Sequence, residues 1–290
     1  MTSVTGGSDV DSLIERRLVP ADAERLVALS VEAGWNQTAA DWRLMLEHGD
    51  GVGLWTGAGM PVASALLLPY GDRFAWISMV LVTGPWRRRG LAGRLLDRCL
   101  ETARGRGLVA VLDATDAGRR VYGSHGFAEL WSFTRLEAVD PRPPPARGAA
   151  ARAMTADDLA AAAELDAVAF GAERAPVLAA LMRRRPEFAL IAGADRQPRG
   201  FALGRDGHRA LHLGPVVADG VATALALVAA ALAGVSGRII IDAPDSQAAF
   251  RAALAAAGFV ERRGFTRMSL GGRSLGDPAT VFAVAGPEFG

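Results

Sequence analysis

The sequence predicts an α/β (α+β) protein of two similar domains, each a mixed, mostly antiparallel twisted sheet flanked by helices. Three observations lead to this fold class. Between Ser78 and Leu100 a strand-like apolar run passes through an arginine- and glycine-rich loop into a helix with an apolar stripe. Strand-like segments separated by turns precede this stretch, and a short apolar run follows it. A similar order of segments recurs after a proline-rich break at 140–148.

Size and charge set limits on the class of protein. The chain has 290 residues, half of them hydrophobic, and a net charge of +1. This length suits two ordinary domains, and the near-neutral charge disfavours nucleic acid as a partner. The single cysteine, Cys99, cannot form an internal disulfide. The longest apolar run, 221–235, is shorter than the ~20 residues of a membrane span, and the first residues lack an export signal. We therefore expect a cytoplasmic protein without a membrane partner.

The first domain begins with helices and continues with strands. A flexible tail at 1–14 precedes a short strand at 16–19, and the sequence Pro20-Ala21-Asp22 is typical of the start of a helix that ends near Ala33. A second helix is expected to begin near Asp41. Antiparallel strands are predicted at 53–56, 61–68 and 73–82.

The elements after the arginine loop complete the first domain. The helix that follows the loop leads to Leu108–Leu112, a wholly apolar run that predicts a buried strand parallel to 73–82 across a helical crossover. Residues 114–124 then predict a helix, which ends at the sequence His125-Gly126-Phe127.

The two halves of the chain repeat each other. We predict domains at 15–139 and 151–290, joined by a proline-rich linker at 140–150. Arg17 and Asp22 have counterparts in Arg152 and Asp157 at an offset of 135. Asp113 has a counterpart in Asp242 at an offset of 129, and Gly126-Phe127 has a counterpart in Gly258-Phe259 at an offset of 132. Offsets this similar predict the repetition of a whole domain.

The loop at 87–93 has the chemistry of an anion site. A helix start carries free backbone N–H groups and the positive end of the helix dipole. Gly90 and Gly93 allow a bulky phosphate to approach the backbone, and Arg87, Arg88 and Arg89 can pair with its oxygens. Taken alone, this stretch is equally consistent with a solvated arginine turn in front of an amphipathic helix.

Two motifs in the first half resemble those of the GNAT superfamily of acetyl-CoA-dependent N-acetyltransferases. The spacing Arg87-x-x-Gly90-x-Ala92 is similar to the cofactor loop of that family, and differs from the P-loop and from the dinucleotide fingerprint. The segment 112–115, followed by Val121-Tyr122-x-x-x-Gly126-Phe127, resembles its closing motif. Two motifs in this order are more specific than either alone, and together the resemblance covers 19–136.

The resemblance implies a set of residues that bind acetyl-CoA. Backbone N–H groups of the first of two splayed strands would face the pantetheine and the developing oxyanion, and the loop backbone would hold the pyrophosphate. Tyr122 would be the general acid, since its counterpart in the family faces the thioester sulfur. The expected cofactor-binding residues are Val80, Leu81, Val82, Arg87, Arg88, Arg89, Gly90, Leu91, Ala92, Gly93 and Thr115.

The second half resembles a GNAT domain that does not bind the cofactor. Its counterpart of the loop, 213–222, lacks the arginines and places Asp219 where phosphate would sit. Phe250 and Leu254, which lie near the position of Tyr122, cannot donate a proton. The ending 282–288 is similar to the tail of a bacterial subfamily of tandem GNAT proteins with unassigned substrate.

The acceptor site and the general base are less determined. We expect substrate contacts from a polar, aromatic loop between the first two helices and from the strand before the arginine loop, namely Trp35, Asn36, Gln37, Trp42 and Ser78. The general base is left open: a water molecule could pass the proton to Glu32, Glu47, Asp116 or His125. His208 and His212 are four residues apart in a strand-like run, so no metal site is expected.

The sequence thus predicts an N-acetyltransferase that uses acetyl-CoA as cosubstrate and acts on the amine of a small molecule or peptide. The alternative is an acetyl-CoA-binding sensor or interaction protein without turnover. The acceptor and any homodimer are left open.

Overall fold

The fold is known from a computed structural model, which describes residues 10–146, 150–194 and 197–290. The first nine residues of the expected tail and positions 147–149 of the expected linker lie outside the described residues. From 140 to 146 the chain forms no helix or strand, whereas Ile14 already belongs to the first strand.

The first half contains the predicted elements in the predicted order. Its helices and strands are β1 (Ile14–Leu18), α1 (Ala23–Glu32), α2 (Ala39–His48), β2 (Asp50–Trp55), β3 (Pro61–Tyr70), β4 (Phe74–Val82), α3 (Leu91–Gly105), β5 (Val109–Ala114), α4 (Asp116–Ser124) and β6 (Phe127–Val139). Strands β4 and β5 are parallel, as predicted.

The second half repeats this order. Its elements are β7 (Ala151–Ala153), α5 (Asp158–Phe170), α6 (Ala175–Arg184), β8 (Leu190–Ala194), β9 (Gln197–Arg205), β10 (Leu211–Ala218), α7 (Val221–Leu232), β11 (Arg238–Pro244), α8 (Ala248–Ala256), β12 (Val260–Leu270) and β13 (Val281–Ala283). Strands β10 and β11 are the parallel pair of this half.

The two halves share one sheet rather than forming a sheet each. Within the described residues the order is β1-β2-β3-β4-β5-β12-β6-β11-β10-β9-β8-β7, and β13 pairs with β10. The equivalent strands β6 and β12 therefore cross to the other half: β12 lies between β5 and β6, and β6 lies between β12 and β11. Phe133 and Phe265 are opposite each other in the β6–β12 ladder, and their rings stack at 5.1 Å. These two residues mark a pseudo-twofold axis.

Two buried ion pairs join the halves across this axis. Arg267 on β12 donates to both oxygens of Asp113 on β5, at 2.9 and 3.0 Å. Arg135 on β6 donates to both oxygens of Asp242 on β11, at 2.8 and 2.7 Å. The aspartates are the repeat equivalents predicted from the sequence. Each of them is neutralised by an arginine from the other half.

The repeat at the start of each half has an offset of 136, not 135. Arg16 pairs with Asp22, and the Val19 N–H donates to the same carboxylate. In the second half Arg152 pairs with Asp158, and Thr155 replaces Val19 as the N–H donor. Asp158, rather than Asp157, is thus the counterpart of Asp22, because only a carboxylate placed there reaches both the arginine and the free N–H at the helix start.

The C-terminal segment 285–290 is buried between the halves. Tyr70 donates its hydroxyl hydrogen to the Phe289 carbonyl at 2.8 Å, and the Trp76 indole N–H donates to the Pro287 carbonyl at 2.9 Å. Tyr70 ends β3 and is buried, and this hydrogen bond satisfies its hydroxyl group. The segment thereby brings Glu288 to the centre of the molecule.

Candidate active site

A gap opens where β4 and β5 separate. The two strands pair only over Phe74–Trp76 and Val109–Val111. Beyond these residues they diverge, and a cavity of about 350 Å³ lies between them. Helices α3 and α4 border it on one face of the sheet, and the α1–α2 loop and the C-terminal segment border it on the other. Two reactants could therefore enter from opposite faces and meet in the gap.

The free edge of β4 carries backbone donors. The Thr83 N–H donates to the Val62 carbonyl on β3. Since backbone groups alternate in direction along a strand, the Leu81 N–H also points to β3, and those of Val80 and Val82 point into the gap. A bulge precedes them: the register with β3 shifts there, and Met79 has a φ of 52°. The predicted donor function therefore suits Val80 and Val82. The prediction for Leu81 is corrected, because its N–H points to β3, where Leu81 is directly opposite Ser64.

The arginine loop has the predicted shape of strand, loop and helix. Gly90 precedes α3 with a φ of 77°, and Arg88 has a φ of 61°. The helix ladder begins with the Arg94 N–H, which donates to the Gly90 carbonyl at 3.0 Å. The N–H groups of the first three helical residues, Leu91 to Gly93, therefore have no acceptor within the helix. Ala92 and Gly93 line the cavity, so these donors lie beside it.

The three loop arginines are exposed. Arg87 donates from Nε to the Val82 carbonyl at 2.9 Å, and its guanidinium lies 3.7 Å from Glu32. Arg89 lies over the Trp86 ring at 5.2 Å. The loop thus presents positive charge at the start of α3, while the binding of a phosphate there stays a prediction.

Tyr122 and Thr115 border the same cavity from α4 and the residue before it. The Tyr122 ring makes an edge contact with Phe127, with centroids 6.0 Å apart. Its other side lies against Gly118, where an added Cβ would come within 2.9 Å of the ring. Burial raises the pKa of the Tyr122 phenol. The phenol therefore keeps its proton at neutral pH, as a general acid must.

Three predicted substrate residues line the opposite end of the cavity: Trp35, Gln37 and Ser78. The Gln37 side chain is buried, and its Oε1 atom has no hydrogen-bond partner among the described residues. Ser78 is buried and lies 3.8 Å from the Met45 sulfur, measured from its Oγ. This amide oxygen is covered, so an acceptor in the cavity could reach it only after the Gln37 side chain rotates.

Asn36 and Trp42 do not line this cavity. Trp42 is fully buried in the core, and its indole N–H donates to the Ser30 hydroxyl at 3.0 Å. Asn36 uses its side chain to bridge the halves, accepting from the Arg209 and Ala210 N–H groups and donating to the Ala210 carbonyl. The prediction of substrate contact is therefore corrected for Trp42, while Asn36 borders a second cavity described below.

The acidic side chains at the cavity differ from those considered for the base. None of Glu32, Glu47, Asp116 and His125 lines it; Asp113 and Glu288 do. Both oxygens of Asp113 accept from Arg267, and burial raises the pKa of this carboxyl despite that partner. Glu288 accepts from Arg205 with Oε1, whereas its Oε2 has no partner among the described residues. Burial raises the pKa of Glu288, although Arg205 opposes the shift.

Five further cavity residues were not predicted from the sequence: Arg135 on β6 of the first half, and Arg263, Phe265, Pro287 and Glu288 of the second half. Pattern and spacing could not find them, because they reach the site only through the exchange of β6 and β12 and the burial of the C-terminal segment. The one available signal was the similarity of 282–288 to the tail of tandem proteins.

The corresponding place in the second half has different chemistry. The start of α7 is occupied by Asp219, which accepts from the Thr223 hydroxyl and from Arg199, both at 2.6 Å. Phe250 and Leu254 are fully buried. A carboxylate already neutralised at this helix start leaves no place for a phosphate.

Among the residues that the structure describes, no group of three His, Cys, Asp or Glu side chains could hold a metal ion. No described helix is long and apolar enough to cross a bilayer. Cys99 is buried in the apolar stripe of α3, and burial raises the pKa of its thiol to about 12.

Comparison with known proteins finds the same family in both halves. Residues 22–127 match the acetyltransferase (GNAT) family, and residues 162–283 match a second acetyltransferase (GNAT) domain. A Bacillus subtilis (strain 168) protein described as "Uncharacterized N-acetyltransferase YitH" is 26% identical over 255 residues, which are 86% of this chain and 88% of that protein.

Solved structures share the arrangement of both halves. A crystal structure of a Pyrococcus horikoshii protein aligns with a TM-score of 0.81 at 22% identity, over 97% of each chain. A tandem GNAT protein from the clavulanic acid biosynthesis pathway aligns with a TM-score of 0.64 at 17% identity, over 90% of this chain and 99% of that one. At identities this low, the two alignments show a similarity of fold alone.

Proposed function

The chain belongs to the GNAT acetyltransferases, with one domain of the family in each half, and from this premise we propose that its amino-terminal half transfers an acetyl group from acetyl-CoA to the amine of a small molecule or peptide. The observation that supports this most is the gap between β4 and β5. It combines free backbone donors, a helix start beside arginines, and a partly buried phenol.

The chain offers acetyl-CoA a binding surface along one face of the sheet. The backbone at Leu91–Gly93 and the arginines Arg87, Arg88 and Arg89 suit the pyrophosphate. The N–H groups of Val80 and Val82 suit the pantetheine amide and the developing oxyanion. Acetyl-CoA supplies an activated acyl group, whose transfer to an amine forms an amide bond and breaks the carbon–sulfur bond.

Tyr122 acts as the general acid. The departing thiolate needs a proton, and the Tyr122 phenol holds one in a pocket next to the gap. Since burial raises the pKa of this phenol, it does not lose the proton to solvent at neutral pH.

Glu288 acts as the general base. It is the cavity carboxylate with an oxygen, Oε2, that accepts no hydrogen bond from a described group, and burial raises its pKa toward the range in which a base works at neutral pH. Oε2 is covered in the structure, so the side chain must rotate before this oxygen can take the proton of the amine.

The carboxy-terminal half does not bind acetyl-CoA in this proposal; it walls the acceptor end of the cavity through β12 and the C-terminal segment. The proposed domains are 15–139 and 151–290, and they exchange the equivalent strands β6 and β12. The rival function, an acetyl-CoA sensor without turnover, needs the same loop but neither Tyr122 nor Glu288.

The substitution Tyr122→Phe separates the two functions. It removes the proton donor and keeps the ring, so we expect turnover, measured as release of free thiol, to fall roughly 10- to 100-fold. The affinity for acetyl-CoA, measured by calorimetry, should stay within about twofold. Binding of acetyl-CoA by the wild type with no thiol release from any amine or peptide tested would favour the sensor. No binding at all would contradict both.

A further inference from the structure

A second cavity, of about 410 Å³, adjoins the acceptor end of the first one. We call it the arginine cavity, because its charged lining residues are Arg135, Arg209, Arg238, Arg262, Arg263 and Glu137. Arg135 and Arg263 line both cavities. In the loop between α1 and α2, Gly34 and Asn36 face the arginine cavity, whereas Trp35 and Gln37 face the first. The two cavities therefore meet along this loop and these two arginines.

The carboxylates nearby do not balance the arginines. Glu137 accepts from Arg238 and lies 3.7 Å from Arg262. Asp242 is fully buried and accepts two hydrogen bonds from Arg135. Two carboxylates thus lie near five guanidiniums, and both carboxylates already pair with arginines.

Arg209 and Arg263 have no carboxylate partner among the described residues. Arg209 donates to the Gly34 carbonyl at 2.8 Å, which leaves its charge uncompensated. Arg263 lies over the Phe265 ring, 4.8 Å from the centroid. Arg263 is an exposed residue, yet desolvation of its guanidinium and the charges of Arg135 and Arg209 lower its pKa, although Asp242 opposes this. Arg263 thus lies among like charges, and a bound anion would offset their repulsion.

We propose that the arginine cavity binds an anionic oxygen group of the acceptor, so that the acceptor is an amine carrying a carboxylate or a phosphate. This inference rests on the proposed function and names its substrate class. Arginine recognises both groups through two parallel N–H···O bonds. The phosphates of acetyl-CoA have their own place at the start of α3, on the other face of the sheet, so the surplus charge in the arginine cavity is left for the second reactant.

The test compares matched pairs of amines in the thiol-release assay. Suitable pairs are β-alanine with β-alaninamide, and phosphoethanolamine with ethanolamine. For the wild type we expect kcat/KM to be at least about tenfold higher for the acidic member of one pair. The pair with the larger ratio distinguishes a carboxylate from a phosphate. In Arg263→Gln this ratio should fall about tenfold. In the control Arg273→Gln, at an exposed position away from both cavities, it should be unchanged.

A second measurement does not depend on turnover. Inorganic phosphate should raise the melting temperature of the wild type and of Arg273→Gln, and raise it much less in Arg263→Gln. The inference would be overturned if the wild type preferred the neutral member of both pairs. It would also be overturned if phosphate raised the melting temperature of the wild type no more than that of Arg263→Gln. In either case thiol release with neutral amines would leave the proposed function standing, whereas a failure to bind acetyl-CoA would remove the proposed function itself.

Discussion

At the scale of single residues, the site depends on side chains whose environment changes their proton affinity. Burial raises the pKa values of Tyr122 and Glu288, which keeps the first protonated and makes the second a better base. The ring of Tyr122 is also fixed by a small neighbour, Gly118. The charge of Glu288 and the position of the Tyr122 ring can therefore be tested by separate substitutions.

Glu288→Gln tests the base. A base works only when ionised, so kcat/KM of the wild type should rise with pH through a pKa above the usual value of 4.5 for glutamate and fall below it. The variant should lose this acid limb and about 100-fold in kcat/KM. Glu129→Gln, at an exposed glutamate on β6, is the control and should keep the limb. An unchanged limb in Glu288→Gln would exclude Glu288 as the base.

Gly118→Ala tests the position of Tyr122. The added methyl group would come within 2.9 Å of the ring, so the ring must move and turnover should fall at least about fivefold. Gly123→Ala is a matched control in the same helix, since no atom lies within 4 Å of its added Cβ. It should keep turnover and gain up to ~1 kcal/mol of stability. Equal turnover in the two variants would contradict the assigned contact.

At the scale of elements, α3 and α7 are equivalent helices with opposite starts. Gly90 precedes α3 and Gly220 precedes α7. Arginines lie in front of α3, whereas in front of α7 Asp219 accepts from the Thr223 hydroxyl and from Arg199. The backbone also differs, because Gly90 has a φ of 77° and Gly220 is extended with a φ of 176°. The start of α3 thus has the potential to hold an anion, while the start of α7 already has a carboxylate beside it.

Ala92→Glu tests this difference. Ala92 lies at the start of α3 beside the cavity, so a carboxylate there should repel the diphosphate and lower the affinity for acetyl-CoA at least about 30-fold in calorimetry. The equivalent change in α7, Ala222→Glu, should leave the affinity unchanged. Ala92 avoids the positive φ of Gly90, which strains any larger residue. A loss of affinity in Ala222→Glu alone would show that acetyl-CoA binds to the carboxy-terminal half instead.

At the scale of the whole molecule, neither half completes its own sheet. Strand β12 separates β5 from β6, and the pairs Asp113–Arg267 and Asp242–Arg135 each join one half to the other. Leaving one member of such a buried pair alone costs about 3–5 kcal/mol. The halves should therefore fold together rather than in sequence.

Separate expression of residues 1–146 and 150–290 tests this dependence. We expect neither fragment to yield a folded monomer with a cooperative thermal transition, and we expect the two expressed together to form a one-to-one complex that binds acetyl-CoA. Size-exclusion chromatography and calorimetry measure both outcomes. A monomeric first fragment that melts cooperatively and binds acetyl-CoA would show that the exchanged strand is dispensable.

The amino-acid sequence was enough to predict the local features: the strand, loop and helix at 78–100, the order of elements, the repeat, and the family. These depend on apolar periodicity, on glycines and on charges close together in the chain, so 87–93 and Tyr122 could be proposed directly as site residues, and their functions stay predictions. The exchange of β6 and β12, the place of Trp42 in the core, and the approach of Arg263 and Glu288 to the acceptor side could be known only from the folded molecule. The strand exchange pairs residues more than 100 positions apart, and no pattern along the chain encodes it because it arises only when the two halves close around one shared sheet.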